Sequence, residues 1–340
     1  MSYSKEMAAV AKAMVAPGKG ILAADESFPS IKKRFDSIGI ESTEETRRTY
    51  REMLLAAPGA EKYISGVIFF DETLKQSTAK GERFVDFLNR QGMIPGIKVD
   101  TGSKPLAGFP GEEVTEGLDG LRGRLQEYVK LGAKFCKWRA VINIGSAIPT
   151  PAGINANAHA LARYAALCQE AGLVPMVEPE IMMEGDHSID RCYEVTTDTL
   201  NRLFSQLHAQ RVNMETTILK VNMIVPGKKC PQQASRQSVA EMTLRALRTC
   251  VPATIPGIVF LSGGQASIPS TDHLSAMNEI GGNPWPLTFS YGRALQDAAL
   301  KAWGGKPENF AAGQKALLHR AKMNGLAALG KYSESAEKAA

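Results

Sequence analysis

Apolar and β-branched residues gather into eight short runs, at 20–24, 66–70, 96–99, 135–144, 174–177, 217–225, 257–261 and 287–289. Runs of this length, bounded by Gly, Pro or charged residues, read as buried strands. The stretches between them have room for a helix and two loops, and several show helical periodicity. Leu118, Leu121, Leu125 and Tyr128 share one helical face, as do Leu161, Tyr164, Ala165 and Cys168. Ser42-x-x-Glu45 and Ser238-x-x-Glu241 read as capping boxes that open two further helices, the second running towards Cys250. Ahead of the first strand, Met7, Val10, Ala11 and Met14 form an extra amphipathic helix that stops at Pro17. Alternating strand and helix predicts an α/β fold with a parallel sheet and right-handed crossovers. Eight such units close a (β/α)8, or TIM, barrel. An open doubly wound sheet is the runner-up, but no G-x-G-x-x-G follows the first strand. No internal repeat, low-complexity tract or linker divides the chain. The reading is one barrel domain over residues 1–330 and a short, polar, flexible tail over 331–340.

Composition removes several functional classes. Forty Lys and Arg against thirty-five Asp and Glu leave a formal net charge of +5, spread along 340 residues. That surplus is too thin for a nucleic-acid partner, yet suits a basic pocket for a small anion. No run reaches the ~18 apolar residues of a membrane span, and the N-terminus lacks a secretory apolar block. Five cysteines without C-x-x-C and five histidines without H-x-x-x-H or H-x-H predict neither disulfides nor a metal site. The expectation is a soluble cytoplasmic protein with no metal, no cofactor and no membrane partner.

Charge then changes the picture, because it sits where the strands end. Asp25 follows the first run, Asp71 and Glu72 the second, and the third carries Lys98 and Asp100. Lys137 and Arg139 lie in the fourth, Glu178 and Glu180 end the fifth, and Lys220 and Asn222 lie in the sixth. Ser262-Gly263-Gly264 ends the seventh and Ser290-Tyr291-Gly292-Arg293 the eighth. Residues i and i+2 on a strand share a face, so Lys137 with Arg139, and Glu178 with Glu180, point the same way. An isolated pair of this kind is usually a solvated edge. So many charges among Val, Ile and Phe point instead to a compensating cluster at the barrel mouth, where barrel active sites lie.

A buried lysine beside other cations loses its proton more readily than its ordinary value of about 10.4 allows, and so becomes a nucleophile. Lys220, apolar on both sides, with Lys137 and Arg139 as neighbouring cations, fits a Schiff-base lysine. Glu178 or Glu180 is placed to move the protons of carbinolamine formation and dehydration. The glycines at the seventh and eighth strand ends suit a phosphate held by backbone N–H groups. Ser30-Ile31-Lys32-Lys33-Arg34 is a second basic cluster, equally readable as a solvated helix face.

Six segments carry a family resemblance: Gly20-Ile-Leu-Ala-Ala-Asp-Glu-Ser27, Gly96-Ile-Lys-Val-Asp100, Lys137-Trp-Arg139, Val177-Glu-Pro-Glu-Ile181, Phe260-Leu-Ser-Gly-Gly-Gln265 and Phe289-Ser-Tyr-Gly-Arg-Ala-Leu295. Together they resemble class I fructose-1,6-bisphosphate aldolase, over roughly residues 3–332. The resemblance implies reversible aldol cleavage of a sugar bisphosphate, in glycolysis and gluconeogenesis, by a homotetramer. It implies Lys220 as Schiff-base lysine, protonated Lys137 beside it, Glu178 as general acid and base, and Asp25 as acceptor of the C4 hydroxyl proton. Glu180 matches a supporting carboxylate expected to orient Lys220. Ser262, Gly263, Gly292 and Arg293 match the ketone-side phosphate site, with Gly264 and Ser290 as further substrate-binding residues. Ser30, Lys33, Arg34, Lys98 and Arg139 match groups reaching the other phosphate and the hydroxyls.

Three positions depart from the family pattern. Val221 stands where Pro commonly follows the lysine, and Phe28-Pro29 where Thr-Gly is common, which makes that loop bulkier and stiffer. The animal-type tail ends in a tyrosine that assists enamine protonation, whereas the last tyrosine here is Tyr332, so Tyr332 substitutes, another group does, or that protonation is slow. The alternatives are a zinc-dependent aldolase, which lacks a visible histidine set, a Schiff-base enzyme for a single phosphate, and a non-catalytic sugar-phosphate sensor.

Overall fold

The structure, a computed structural model, describes residues 4–338; residues 1–3 and the end of the expected tail, 339–340, lie outside the described residues. All eight expected strands form, with an unexpected hairpin after the third. In chain order they are β1 Gly20–Ala24, β2 Ile64–Phe69, β3 Ile94–Lys98, the hairpin β4 Gly102–Pro105 and β5 Glu113–Glu116, β6 Phe135–Ile142, β7 Val174–Ile181, β8 Ile218–Val221, β9 Ile258–Phe260 and β10 Leu287–Tyr291. The eight strands other than the hairpin pair in parallel in the order β1-β10-β9-β8-β7-β6-β3-β2 and close into a barrel with helices around it. The open-sheet alternative is thereby excluded.

Two apolar layers hold this arrangement. Ile21, Ala23, Ile68, Phe135, Met176, Ile218 and Val259 fill the barrel and pack with Met7, Ala11 and Met14 of the helix Ser4–Met14, which covers one end. That is the amphipathic face read from the sequence. Phe135 occupies the space a side chain at position 96 would need: a Cβ on Gly96 would lie 2.2 Å from its Cζ. A larger cluster, including Phe35, Tyr50, Phe84, Trp138, Tyr164 and Trp303, joins the outer strand faces to the helices. Each fully buried aliphatic or aromatic side chain contributes about 1.5–3 kcal/mol, so the frame is rigid enough to hold charge at its mouth.

Some helix starts differ from the reading. The helix Glu44–Leu55 is capped by Thr43, with Thr46 completing the box, and Arg236–Cys250 by Ser235 rather than Ser238. In each case the hydroxyl immediately before the first helical residue takes the free N–H three residues on: Thr43 from Thr46, Ser235 from Ser238. The polar tail carries a short helix, Glu334–Lys338, whose Glu337 ion-pairs with Arg320 and accepts from Tyr332 at 3.0 Å. Among the described residues, no helix is long and apolar enough to cross a membrane.

Candidate active site

The C-terminal ends of the barrel strands surround a cavity of about 670 Å3. Its floor is a chain of buried charges. Strand register explains their heights: Lys98 of β3 lies opposite Lys137 of β6, and Arg139 of β6 opposite Glu178 of β7. Met176 and Val177 pair with Ile218 and Leu219, so continuing the register sets Glu178 level with Lys220. Lys137 Nζ donates to Asp25 Oδ2 at 2.7 Å and contacts Glu178 Oε2 at 3.0 Å. Lys220 Nζ lies 3.0 Å from Glu178 Oε1. Glu178 therefore stands between two ammonium groups, while its Oε2 has no aligned hydrogen-bond donor.

These contacts set the protonation states. Burial alone would raise the Asp25 pKa, but Lys137, Lys220 and then Lys98 outweigh it and hold the carboxyl well below its ordinary range. Glu178 follows the same logic: burial pushes it up, and Lys137, Lys220 and Arg139 bring it below its ordinary value. Burial pulls Lys137 down, yet Asp25, Glu178 and Asp100 raise it well above an ordinary lysine. Lys137 thus keeps its proton, clamped by two carboxylates, whereas Lys220 touches only Glu178.

Glu180 is a correction. It pairs with Arg139 and has no contact with Lys220. Glu178 and Glu180 share a face as expected, but two residues of strand separate them by about 6.6 Å in height. Only the lower one is level with Lys220. Asp71 and Glu72 are a second correction, because neither lines the cavity. Beyond Phe69 the chain turns directly into the helix Asp71–Leu74, which carries Asp71 to Lys75 and Tyr128, and Glu72 to Arg47. Asn222 serves the backbone, accepting from Ile181 N at 3.1 Å, and Tyr291 donates to Ser270 O at 2.8 Å.

The two expected anion patches adjoin: β9 and β10 are followed around the barrel by β1, and a point one bond out from the Gly292 Cα is 3.5 Å from Arg34 Nη2. Ser262, Gly263, Ser290, Gly292 and Arg293 line one wall, and the buried Ser290 hydroxyl there has no partner among the described residues. Gly292 opens the helix Arg293–Trp303 without a side-chain cap, which leaves N–H groups for an anion. Gly264 stands just behind this wall, at φ 93. Ser30, Lys33 and Arg34, from the helix Phe28–Asp36, line the next stretch of the same cavity with Lys98 and Arg139. Phe28 anchors that helix: its ring meets Phe70 edge-on at 5.1 Å under the Arg47 guanidinium, 4.7 Å away.

Two positioning residues, Glu26 and Gln296, escaped the sequence reading, and a third, Asp100, was read there as a strand-end charge. Glu26 ion-pairs with Arg34 and with Arg51, both at 2.8 Å. Gln296 accepts from Arg34 at 3.1 Å and donates to the Ala23 carbonyl. Asp100 ion-pairs with Lys98 at 2.8 Å and accepts from the Arg139 backbone N–H. Glu26, adjacent to Asp25, was the one with a visible signal. Tyr332 is buried against Glu337 and is not among the residues lining the cavity. Among the described residues, no group of three or more His, Cys, Asp or Glu is arranged to hold a metal ion.

A parallel barrel whose mouth holds buried lysines beside basic patches has the form of a Schiff-base-forming sugar-phosphate enzyme. The family model described as fructose-bisphosphate aldolase class-I matches residues 6–340, and the chain belongs to that family. It is 60% identical over 329 residues to a probable fructose-bisphosphate aldolase class 1 of Xanthomonas campestris pv. campestris, covering 96% of this chain and 98% of that protein. It is 51% identical over 333 residues to the cytosolic fructose-bisphosphate aldolase 4 of Arabidopsis thaliana, covering 98% of this chain and 85% of that one. Among solved structures, Plasmodium falciparum fructose-bisphosphate aldolase, in complex with TRAP and a small-molecule inhibitor, superposes with a TM-score of 0.96. That match has 46% identity and covers 98% of this chain and 96% of the other.

Proposed function

We propose that the protein reversibly cleaves fructose 1,6-bisphosphate to dihydroxyacetone phosphate and glyceraldehyde 3-phosphate through a Schiff base on Lys220. One observation carries the assignment of roles: Glu178 separates a lysine locked by two carboxylates from one that touches a single carboxylate. Proton transfer from the Lys220 ammonium to Glu178 yields the neutral amine and a general acid in one step. The amine attacks the ketone carbon, and protonated Lys137 stabilises the carbinolamine oxygen as charge gathers there. Glu178 gives its proton to that oxygen, takes one from the attacking nitrogen and passes this second proton to the hydroxyl, which leaves as water and gives the iminium. Asp25, held ionised, takes the C4 hydroxyl proton. The C3–C4 electrons then move into the iminium, the aldehyde departs, and an enamine remains. Protonation at C3 and hydrolysis release the second product.

The two basic walls support a substrate with a phosphate at each end. The ketone-side phosphate meets Ser262, Gly263, Ser290, Gly292 and Arg293, backed by Gly264; the far phosphate and the hydroxyls meet Ser30, Lys33, Arg34, Lys98 and Arg139. Glu180 acts by orienting Arg139. Replacing Arg293 with Ala should weaken substrate binding by roughly 10–150-fold, the equivalent of a charge-assisted contact of about 1.5–3 kcal/mol. Measuring the substrate Kd checks this, and an unchanged value means the phosphate lies elsewhere. Comparing turnover on fructose 1,6-bisphosphate and fructose 1-phosphate tests the substrate reading. A clear preference for the bisphosphate supports it, and equal rates favour a single-phosphate enzyme. A chelator should leave the rate unchanged, and loss of activity would favour zinc chemistry. The family relation supports a homotetramer, which sedimentation measures, and a cytoplasmic location.

A further inference from the structure

The geometry assigns a second cation to the ketone-side phosphate wall. We propose that Lys228, outside the sequence motifs, turns its ammonium from Glu184 to the bound phosphate, beside Arg293. The inference rests on the reading of that wall as a phosphate site. A point one bond out from the Gly264 Cα is 2.6 Å from Lys228 Nζ and 3.2 Å from Arg293 Nη2. Both cations therefore converge on one spot directly behind the Ser262–Gly263 turn. A side chain at position 264 would push this flexible ammonium aside, while the φ of 93° there is what calls for glycine.

The base of Lys228 is fixed while its tip is half-exposed and held only by one surface carboxylate. The loop after β8 is zipped to the loop after β7 by Gly227 N→His187 O at 2.9 Å, Lys228 N→Met183 O at 2.8 Å and Lys229 N→Gly185 O at 2.8 Å. Gly227 packs so closely that a Cβ there would lie 2.4 Å from the Gly185 carbonyl oxygen. The ammonium itself ion-pairs with Glu184 at 2.7 Å, on side chains that are 39% and 54% exposed. Burial pulls the Glu184 carboxyl up, and Lys228 and then Arg293 pull it below its ordinary value, so this carboxylate feels both cations. An exposed pair of this kind is worth little in itself, and a dianionic phosphate is the stronger competitor. Glu184 holds the lysine in reserve and competes with the phosphate for it.

The two partners of this ion pair must then act with opposite sign. Lys228→Met should weaken inorganic phosphate, read by titration calorimetry on the full chain, by about tenfold, whereas Glu184→Gln should tighten it by about threefold. Lys228→Arg should restore at least half of the lost affinity. The KM for fructose 1,6-bisphosphate should follow the same order. If both variants weaken phosphate, or neither moves it, the ion pair is merely structural and the inference is overturned. A wild-type chain that binds phosphate in this pattern but cleaves no bisphosphate overturns the proposed reaction and leaves the Lys228 assignment standing.

Discussion

Lys220→Met should lose on the order of 10⁴–10⁶-fold in cleavage rate, the scale seen when a covalent nucleophile is removed from an intact site. Methionine matches the length of the lysine chain and suits the apolar surroundings of β8, so the fold survives. Glu178 keeps Lys137 as its ion-pair partner at 3.0 Å, so no carboxylate is stranded. What disappears is the amine that bonds to the ketone. Lys220→Arg retains the positive charge but forms no Schiff base, and should be as inactive as the methionine variant. A steady-state rate within tenfold of wild type in either variant would mean that the nucleophile has been misassigned.

Lys137→Met should have the largest effect on stability. Its ammonium joins Asp25 and Glu178, all three being almost fully buried. Removing one partner from such a cluster leaves buried charge uncompensated and costs about 3–5 kcal/mol. The pH dependence carries a sign. The Lys137 pKa is raised in the fold, so its contribution is complete below the unfolded lysine value and fades as pH rises through the folded one. Asp25 and Glu178 are depressed, so their contributions are present above their unfolded values and fade as pH falls through the folded ones. Without Lys137 both carboxyls take up protons at higher pH than in wild type. The stability gap between wild type and variant should therefore be widest near neutrality and narrow as pH falls below about 5. Urea unfolding from pH 4 to 8 measures it, and a gap independent of pH would show that Lys137 does not hold those carboxyls ionised.

Much of this could be read from the chain because a buried parallel strand is an unbroken apolar run, and a charge inside one stands out. Lys137, Lys220, Glu178 and Asp25 were legible for that reason. The hairpin β4–β5 was not: Gly102–Pro105 and Glu113–Glu116 are mostly polar and only partly buried, and show no apolar alternation. Height along a strand was also hidden. The alternation of faces puts Glu178 and Glu180 together, but only the register with β8 decides which reaches Lys220. Asp71 and Glu72 follow a strand like the others, yet the immediate helix turns them away from the cavity. Lys228 and Gln296 act across loops or helices far apart in sequence, and no local pattern marks such pairs.

Borohydride reduction of the wild-type protein in the presence of dihydroxyacetone phosphate, followed by peptide mass mapping, tests the central claim most directly. One stable adduct per chain on Lys220 is the predicted result; no adduct, or an adduct on Lys137 instead, would contradict it.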